Sequence, residues 1–341
     1  MRVSTTLRRA DPLGGERVEL SARGRAELRA LIGPDDHEPM RTPVARSRPW
    51  VRLVTLTTAA IVAVAMLVLP GLWHGTATAE AQDLLDRAIA AAYDPPARAD
   101  QYWKVTSNSI TSDIIGEGGW GDPDAVSVLR HVRRVEYVAV DGSRPTWFED
   151  RAGPYVRQVS GPATTLPDVG WGSPERWTSN LSPRDEGSLV FTLPTDPDQL
   201  RAELYRRGQG SGASDDEAAF TGAADILRTG YAPAALRAAL LQVLKTIPGV
   251  DVVNHDVTLD GRPGVALGRP EPNRNGQRHE LVFDRGTAEF IGERYVFTTP
   301  DATIETAVSR TLVDRVDPTL VRTAVRMVCT MEASGSVCRE P

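Results

Sequence analysis

Residues 252–267 read VVNHDVTLDGRPGVAL, a run in which β-branched and apolar positions dominate on both sides of Asp260-Gly261. Asp-Gly suits a two-residue type I′ turn, whose central positions both need positive φ, so the stretch predicts a β-hairpin. The same grammar recurs on either side of it. Residues 126–140, then Asp141-Gly142, then Thr146-Trp147-Phe148 read as another hairpin, and residues 280–283 and 289–297 flank Arg285-Gly286 as a third. Residues 101–106 (QYWKVT) read as the first strand and residues 304–316 as the last.

Helices are grouped between these strands. Asp196 as cap with Pro197 at the first helical position opens one helix through Arg206, and residues 215–228 read as a second. In residues 233–247, Leu236, Leu240, Val243, Leu244 and Ile247 fall on one face, and Pro248-Gly249 lies beyond the end. Strands, then helices, then strands is an α+β order rather than the alternation of a parallel sheet. The expected fold is a single, strongly curved antiparallel sheet with helices packed on one side; a division near residue 195 is the alternative.

Residues 53–73, LVTLTTAAIVAVAMLVLPGLW, carry no charge. At about 1.5 Å of rise per residue they reach roughly 30 Å, the thickness of a bilayer's hydrocarbon core, so one transmembrane helix is expected. Residues 1–52 hold 11 Arg and 7 acidic residues, and no Lys or Arg follows the span until Arg87. By the positive-inside rule the N-terminus faces the cytoplasm and residues 74–341 form an extracytoplasmic domain of a single-pass cell-membrane protein. The whole chain is −6, so a tail of +4 leaves −10 outside. Such a surface suits solubility and argues against nucleic-acid binding. The tail is largely disordered in this reading, with one short helix over residues 21–32. The rival reading is a cleaved signal peptide, because Ala77-Thr78-Ala79 has the small-x-small pattern of a cleavage site. Otherwise the span runs on into an outer helix over residues 79–92.

Cys329 and Cys338, an even pair outside the membrane, invite a disulfide; two free thiols in a frayed tail are the alternative. Chemistry is sparse elsewhere. Gly116-Glu-Gly-Gly-Trp-Gly121 fits G-x-G-x-x-G, but Asp122-Pro123 follows where a Rossmann turn opens a helix. The five histidines have no ligand spacing, no G-x-S-x-G elbow occurs, and Asp215-Asp216-Glu217 reads as a helix start. No catalytic residue, metal or cofactor is expected, and the chain reads as a non-enzyme. His131 sits among Arg130, Arg133 and Arg134 on what reads as a solvated strand face. Trp120 and Trp171, each followed by Gly, and the nearby Trp177 lie in Gly/Pro-rich stretches. These rings either recognise a ligand such as a glycan or peptide, close over the mouth of a curved sheet, or staple long loops to it.

Several segments recur in order: the Arg-rich tail, the span at 53–73, the helix leading to Gln101-Tyr-Trp, Asp141-Gly-Ser-Arg-Pro145, Leu193-Pro-Thr-Asp-Pro-Asp198, Ile247-Pro-Gly-Val250, Asp260-Gly-Arg-Pro263 and Gly292-Glu-Arg294. Together they resemble a family of uncharacterised single-pass actinobacterial membrane proteins, over most of residues 80–300. The layout is similar to that of a membrane-bound anti-sigma factor or co-regulator, and the outer element order to the LolA and RseB type of curved half-barrel. The resemblance implies an envelope sensor whose tail contacts a cytoplasmic sigma factor or another regulator. Alternatively, it implies a carrier module for lipid or lipoprotein acyl chains. The tail has no Cys, so a zinc-type anti-sigma fold is unsupported.

Overall fold

The computed structural model describes residues 76–116, 125–298, 301–332 and 335–341. The tail, the helix expected at 21–32, the span at 53–73 and Trp120 lie outside the described residues. Among the described residues no helix is long and apolar enough to cross a membrane.

In chain order the elements are α1 (Ala79–Ala91), β1 (Tyr102–Ile115), β2 (Val126–Ala139), β3 (Trp147–Ser160), β4 (Glu175–Ser179), α2 (Leu189–Thr192), α3 (Pro197–Gly208), α4 (Asp215–Arg228), α5 (Ala234–Thr246), β5 (Asp251–Leu259), β6 (Arg262–Gly268), β7 (Arg278–Asp284), β8 (Phe290–Thr298), β9 (Asp301–Val313), α6 (Pro318–Thr323), β10 (Val325–Glu332) and β11 (Gly335–Arg339). The expected helices form where their caps sit. Asp196 accepts from the Gln199 amide, and Ser214 from the Glu217 amide. The hairpin at 252–267 forms with Asp260 at φ 48° and Gly261 at φ 78°, the two positive values its turn needs.

The strands make one curved sheet in the order β11-β10-β4-β3-β2-β1-β9-β8-β7-β6-β5, so strands from both sides of residue 195 share it. The expectation of a wholly antiparallel sheet is corrected at one place, where β4 and β10 pair in parallel. The cause lies in the two strands that the sequence reading lacked. After β9 the chain turns through α6 and returns as β10 along the free edge of β4, and β11 folds back on β10. Cys329 and Cys338 are cross-strand partners in that last hairpin and are joined as a disulfide.

One face of the sheet carries α1, α3, α4 and α5. Leu84, Leu200, Phe220, Leu240 and Leu244 pack there with Leu267 of β6 and with Leu281 and Phe283 of β7. Burying each such side chain contributes roughly 1.5–3 kcal/mol, which makes this layer the main core. We call this the helix-bearing face. Among the described residues, α6 is the one helix on the opposite, open face, where its Leu320 packs with Tyr137 and Val316.

A further correction concerns the entry to α1. Thr78 is extended, at φ −60° and ψ 159°, and caps α1 with its side chain. The Ala77 amide donates to the Lys245 carbonyl and the Thr78 amide to the Val250 carbonyl, both at 3.0 Å. Helix α1 therefore begins at Ala79 rather than continuing an upstream helix. Ala77 is 3% exposed, so the small-x-small pattern is part of the folded domain.

Candidate functional site

Curvature creates the site. Between β1 and the β5–β6 hairpin the sheet order places β9, β8 and β7. Nevertheless, Asn108 of β1 donates from Nδ2 to Asp260 Oδ2 in the hairpin turn at 2.8 Å. That reach requires the sheet to curl toward its open face. Leu259 lies over Gly292, where an added Cβ would stand 2.7 Å from Leu259 Cδ2. Val257, Leu259, Ala266, Val282 and Ile291 fill the angle beneath the curl as a second, smaller core.

The other flank is the loop after β3. The Gly172 amide donates to the Ala152 carbonyl at 2.9 Å, which pins the loop to the strand. Trp171 then lies on Gly153, where an added Cβ would be 2.9 Å from both the indole Cζ3 and His131 Cβ. The ring is 51% exposed, so it staples its loop and also presents a free surface. Between Trp171 and the hairpin turn lies a cavity of about 550 Å³, lined among others by Asn108, Ile110, His131, Asp260 and Glu305. Burial raises the Glu305 carboxyl above its usual range and nearby Asp260 adds to this, while Arg294 and His131 oppose it.

Strand register sorts the charges that cluster in the sequence around His131. Arg130 and Arg134 point to the helix-bearing side, where Arg130 pairs with Asp113 at 2.6 Å and Arg134 takes both oxygens of Asp150 at 2.8 and 2.7 Å. His131 and Arg133 point to the open face, since strand neighbours alternate. There Arg133 stands directly opposite Arg151 of β3. A second cavity, of about 230 Å³, opens below, lined by Lys104, Arg133, Arg151, Glu149, Tyr137 and Leu320. Arg133 lines both cavities, making one groove along β2.

Of the three tryptophans named from sequence, the two described ones, Trp171 and Trp177, lie on opposite faces of the sheet. Trp171 walls the upper cavity on the open face. Trp177 belongs to β4, pairs with Phe148, and stacks on that ring with centroids 3.8 Å apart on the helix-bearing side. As a ligand-loop residue Trp177 is therefore corrected to a strand packing residue, because its strand register, not its spacing from Trp171, fixes its face. Trp120 lies outside the described residues. The arginines of the groove were missed as site residues. The alternation in residues 130–134 (RHVRR) carried a signal for Arg133, but its meeting with Arg151 depends on register.

Beside the Phe148–Trp177 stack, Glu136 is pushed up to about 7, first by burial, with Asp150 adding to it and Arg134 and Arg228 opposing. A third cavity, of about 390 Å³, lies on the helix-bearing side between α1, α5, β1 and β9. Ala88, Leu241, Trp103 and Leu312 give it apolar walls, and Arg237 and Arg310 stand at it, both paired with Asp94. Burial would raise Asp94, but its hydrogen bond to Arg237 and the two positive charges hold the carboxyl below its usual range.

No family model matches the chain, and no curated protein matches it. Among solved structures, a chain of the Pseudomonas aeruginosa MucA/MucB complex is similar at 13% identity and a TM-score of 0.27, covering 77% of this chain and 64% of that one. MucB in complex with MucA(peri) is similar at 13% identity and a TM-score of 0.27, covering 76% and 62%. A LolA superfamily protein from Nitrosomonas europaea is similar at 10% identity and a TM-score of 0.18, covering 72% and 98%. This chain thus spans less than two thirds of the first two. Identities and TM-scores this low leave the fold resting on this chain's own strand order.

Proposed function

We propose that the chain is a non-enzymatic envelope sensor, held in the cell membrane by residues 53–73, whose outer domain takes a ligand into the cavity between Trp171 and the β5–β6 turn. The observation that supports this most is the construction of that cavity. Two separate stretches of chain, each pinned by hydrogen bonds, hold an exposed indole opposite a turn carboxylate, with His131, Arg133 and Glu305 around them. An aromatic shelf rimmed by polar groups binds and orients an amphipathic ligand such as a sugar or short peptide. In this reading the Arg-rich tail passes the signal to a cytoplasmic sigma factor or another regulator.

The second reading is an acyl-chain carrier. What favours it is the apolar cleft on the helix-bearing side. What weighs against it is that the helices fill most of that face with their own side chains, while the curled face offers a polar groove.

Topology and partner are tested together. A reporter enzyme active only outside the cytoplasm, fused after Pro341, should be active, and residues 1–50 used as bait should capture a sigma factor. An inactive fusion overturns the sensor reading. An active fusion with no captured sigma factor removes its signalling half.

A further inference from the structure

We propose that the lower cavity of the open face is a binding site for a phosphate-class oxyanion, held by Lys104, Arg133 and Arg151. The inference is independent of what occupies the cavity at Trp171.

Three strands bring these cations together. Lys104 is on β1, Arg133 on β2 and Arg151 on β3, and all three line one cavity. Arg133 and Arg151 are direct cross-strand partners, an arrangement of like charges that destabilises a sheet unless something sits between them. The adjacent pair in the same ladder, Arg134 with Asp150, has the ordinary complementary charges.

Of the five charged groups that line the cavity three are cations, and the two carboxylates, Glu149 and Asp317, offset them only in part. Glu149 is taken by Arg176 at 2.7 Å and reaches Arg151 only at 3.4 Å. Asp317 caps α6, accepting from the Thr319 and Leu320 amides at 2.7 and 3.4 Å. Among the described residues, neither Lys104 nor Arg133 forms a salt bridge, and Arg151 Nε is buried with Glu149 at 3.4 Å as an ion pair but no hydrogen bond. Two guanidinium forks and an ammonium suit an oxyanion with several acceptor oxygens, which can take bidentate bonds from each fork. At about 230 Å³ the cavity admits a small charged group rather than a folded partner. The site is a local excess of positive charge on an outer domain that is acidic as a whole, so its selectivity is built by position.

The test is thermal unfolding of the full chain in neutral detergent, with sodium phosphate, glycerol 3-phosphate or sodium chloride added at matched ionic strength. Phosphate or its monoester should raise the midpoint by about 2 °C or more at millimolar concentration, with chloride giving no comparable shift. A stronger response to phosphate assigns the site to the free ion, and a stronger response to the ester assigns it to a headgroup or phosphosugar. Arg133→Gln and Arg151→Gln should abolish the response. In phosphate-free buffer each variant should unfold no earlier than the parent, because it relieves a like-charge pair. Equal shifts with chloride, or responses retained in both variants, overturn the site. Variants that unfold earlier without phosphate also count against it, since the two arginines would then be structural.

Discussion

Asn108 and Asp260 are 152 residues apart in sequence and joined by a 2.8 Å hydrogen bond that holds the tip of the β5–β6 hairpin over β1. Asn108→Ala removes the amide that donates from the β1 side of this contact. We expect a loss of about 1 kcal/mol in urea unfolding and faster amide exchange at Gly261, with the helix layer unaffected. Unchanged exchange at the turn would mean that Leu259 packing alone holds the curl.

Gly292 lies where the hairpin packs directly onto β8. Its φ is 148°, and a Cβ there would run into the Thr306 carbonyl as well as Leu259. Gly292→Ala should therefore destabilise by about 3 kcal/mol or more, measured by chemical denaturation. A loss below about 1 kcal/mol would show that β8 and the hairpin can separate cheaply.

On the other flank, Gly153→Ala places a methyl against the Trp171 ring and His131. The ring should lift from the sheet, shifting tryptophan emission to the red, with about 1–2 kcal/mol of stability lost. The same substitution in a Trp171→Phe background should leave the emission of the remaining tryptophans in place.

Glu136 makes stability depend on pH. Its folded value of about 7 lies above the ordinary 4.5, so the folded chain holds the proton more tightly than the unfolded one. This contribution is complete below about pH 4.5 and is lost as the pH rises through about 7, amounting to about 3 kcal/mol. Glu136→Gln should match the parent near pH 4 and exceed its stability near pH 8. Parallel pH profiles for the two proteins would show that Arg134 and Arg228 already neutralise the carboxylate.

Thr78→Ala removes both the cap to the Ala81 amide and the 2.6 Å hydrogen bond from Thr78 to Asp251. A loss of about 1 kcal/mol in thermal or urea unfolding is expected, and Thr78→Ser should recover most of it.

Local chemistry explains how much of this fold could be read in advance. Asp260-Gly261, Asp196-Pro197 and the apolar stripe of α5 each carry a short-range rule, and each forms where that rule places it. The entry to α1 was misread because Thr78 decides it through backbone bonds to Lys245 and Val250, which are distant in sequence. Strands β10 and β11 were missed because Val325, Val328 and Met331 are exposed and leave no clean inward and outward alternation. The cavities are less legible still. Trp171 was visible as a loop residue, but its position over Gly153 follows from the Gly172 to Ala152 bond. The meeting of Arg133 with Arg151 follows from a register interrupted by irregularities at residues 127–132 of β2.

The parallel contact between β4 and β10 also dictates the order in which the molecule can be finished. β4 ends at Ser179 and its partner begins at Val325, so throughout synthesis of the intervening chain β4 presents an unpaired edge able to template strands from other molecules. Only the final hairpin, tied by the Cys329–Cys338 disulfide, closes that edge. Chains cut short before Val325 should consequently keep most of their core and still aggregate, so the last residues act as a guard on assembly rather than as ballast.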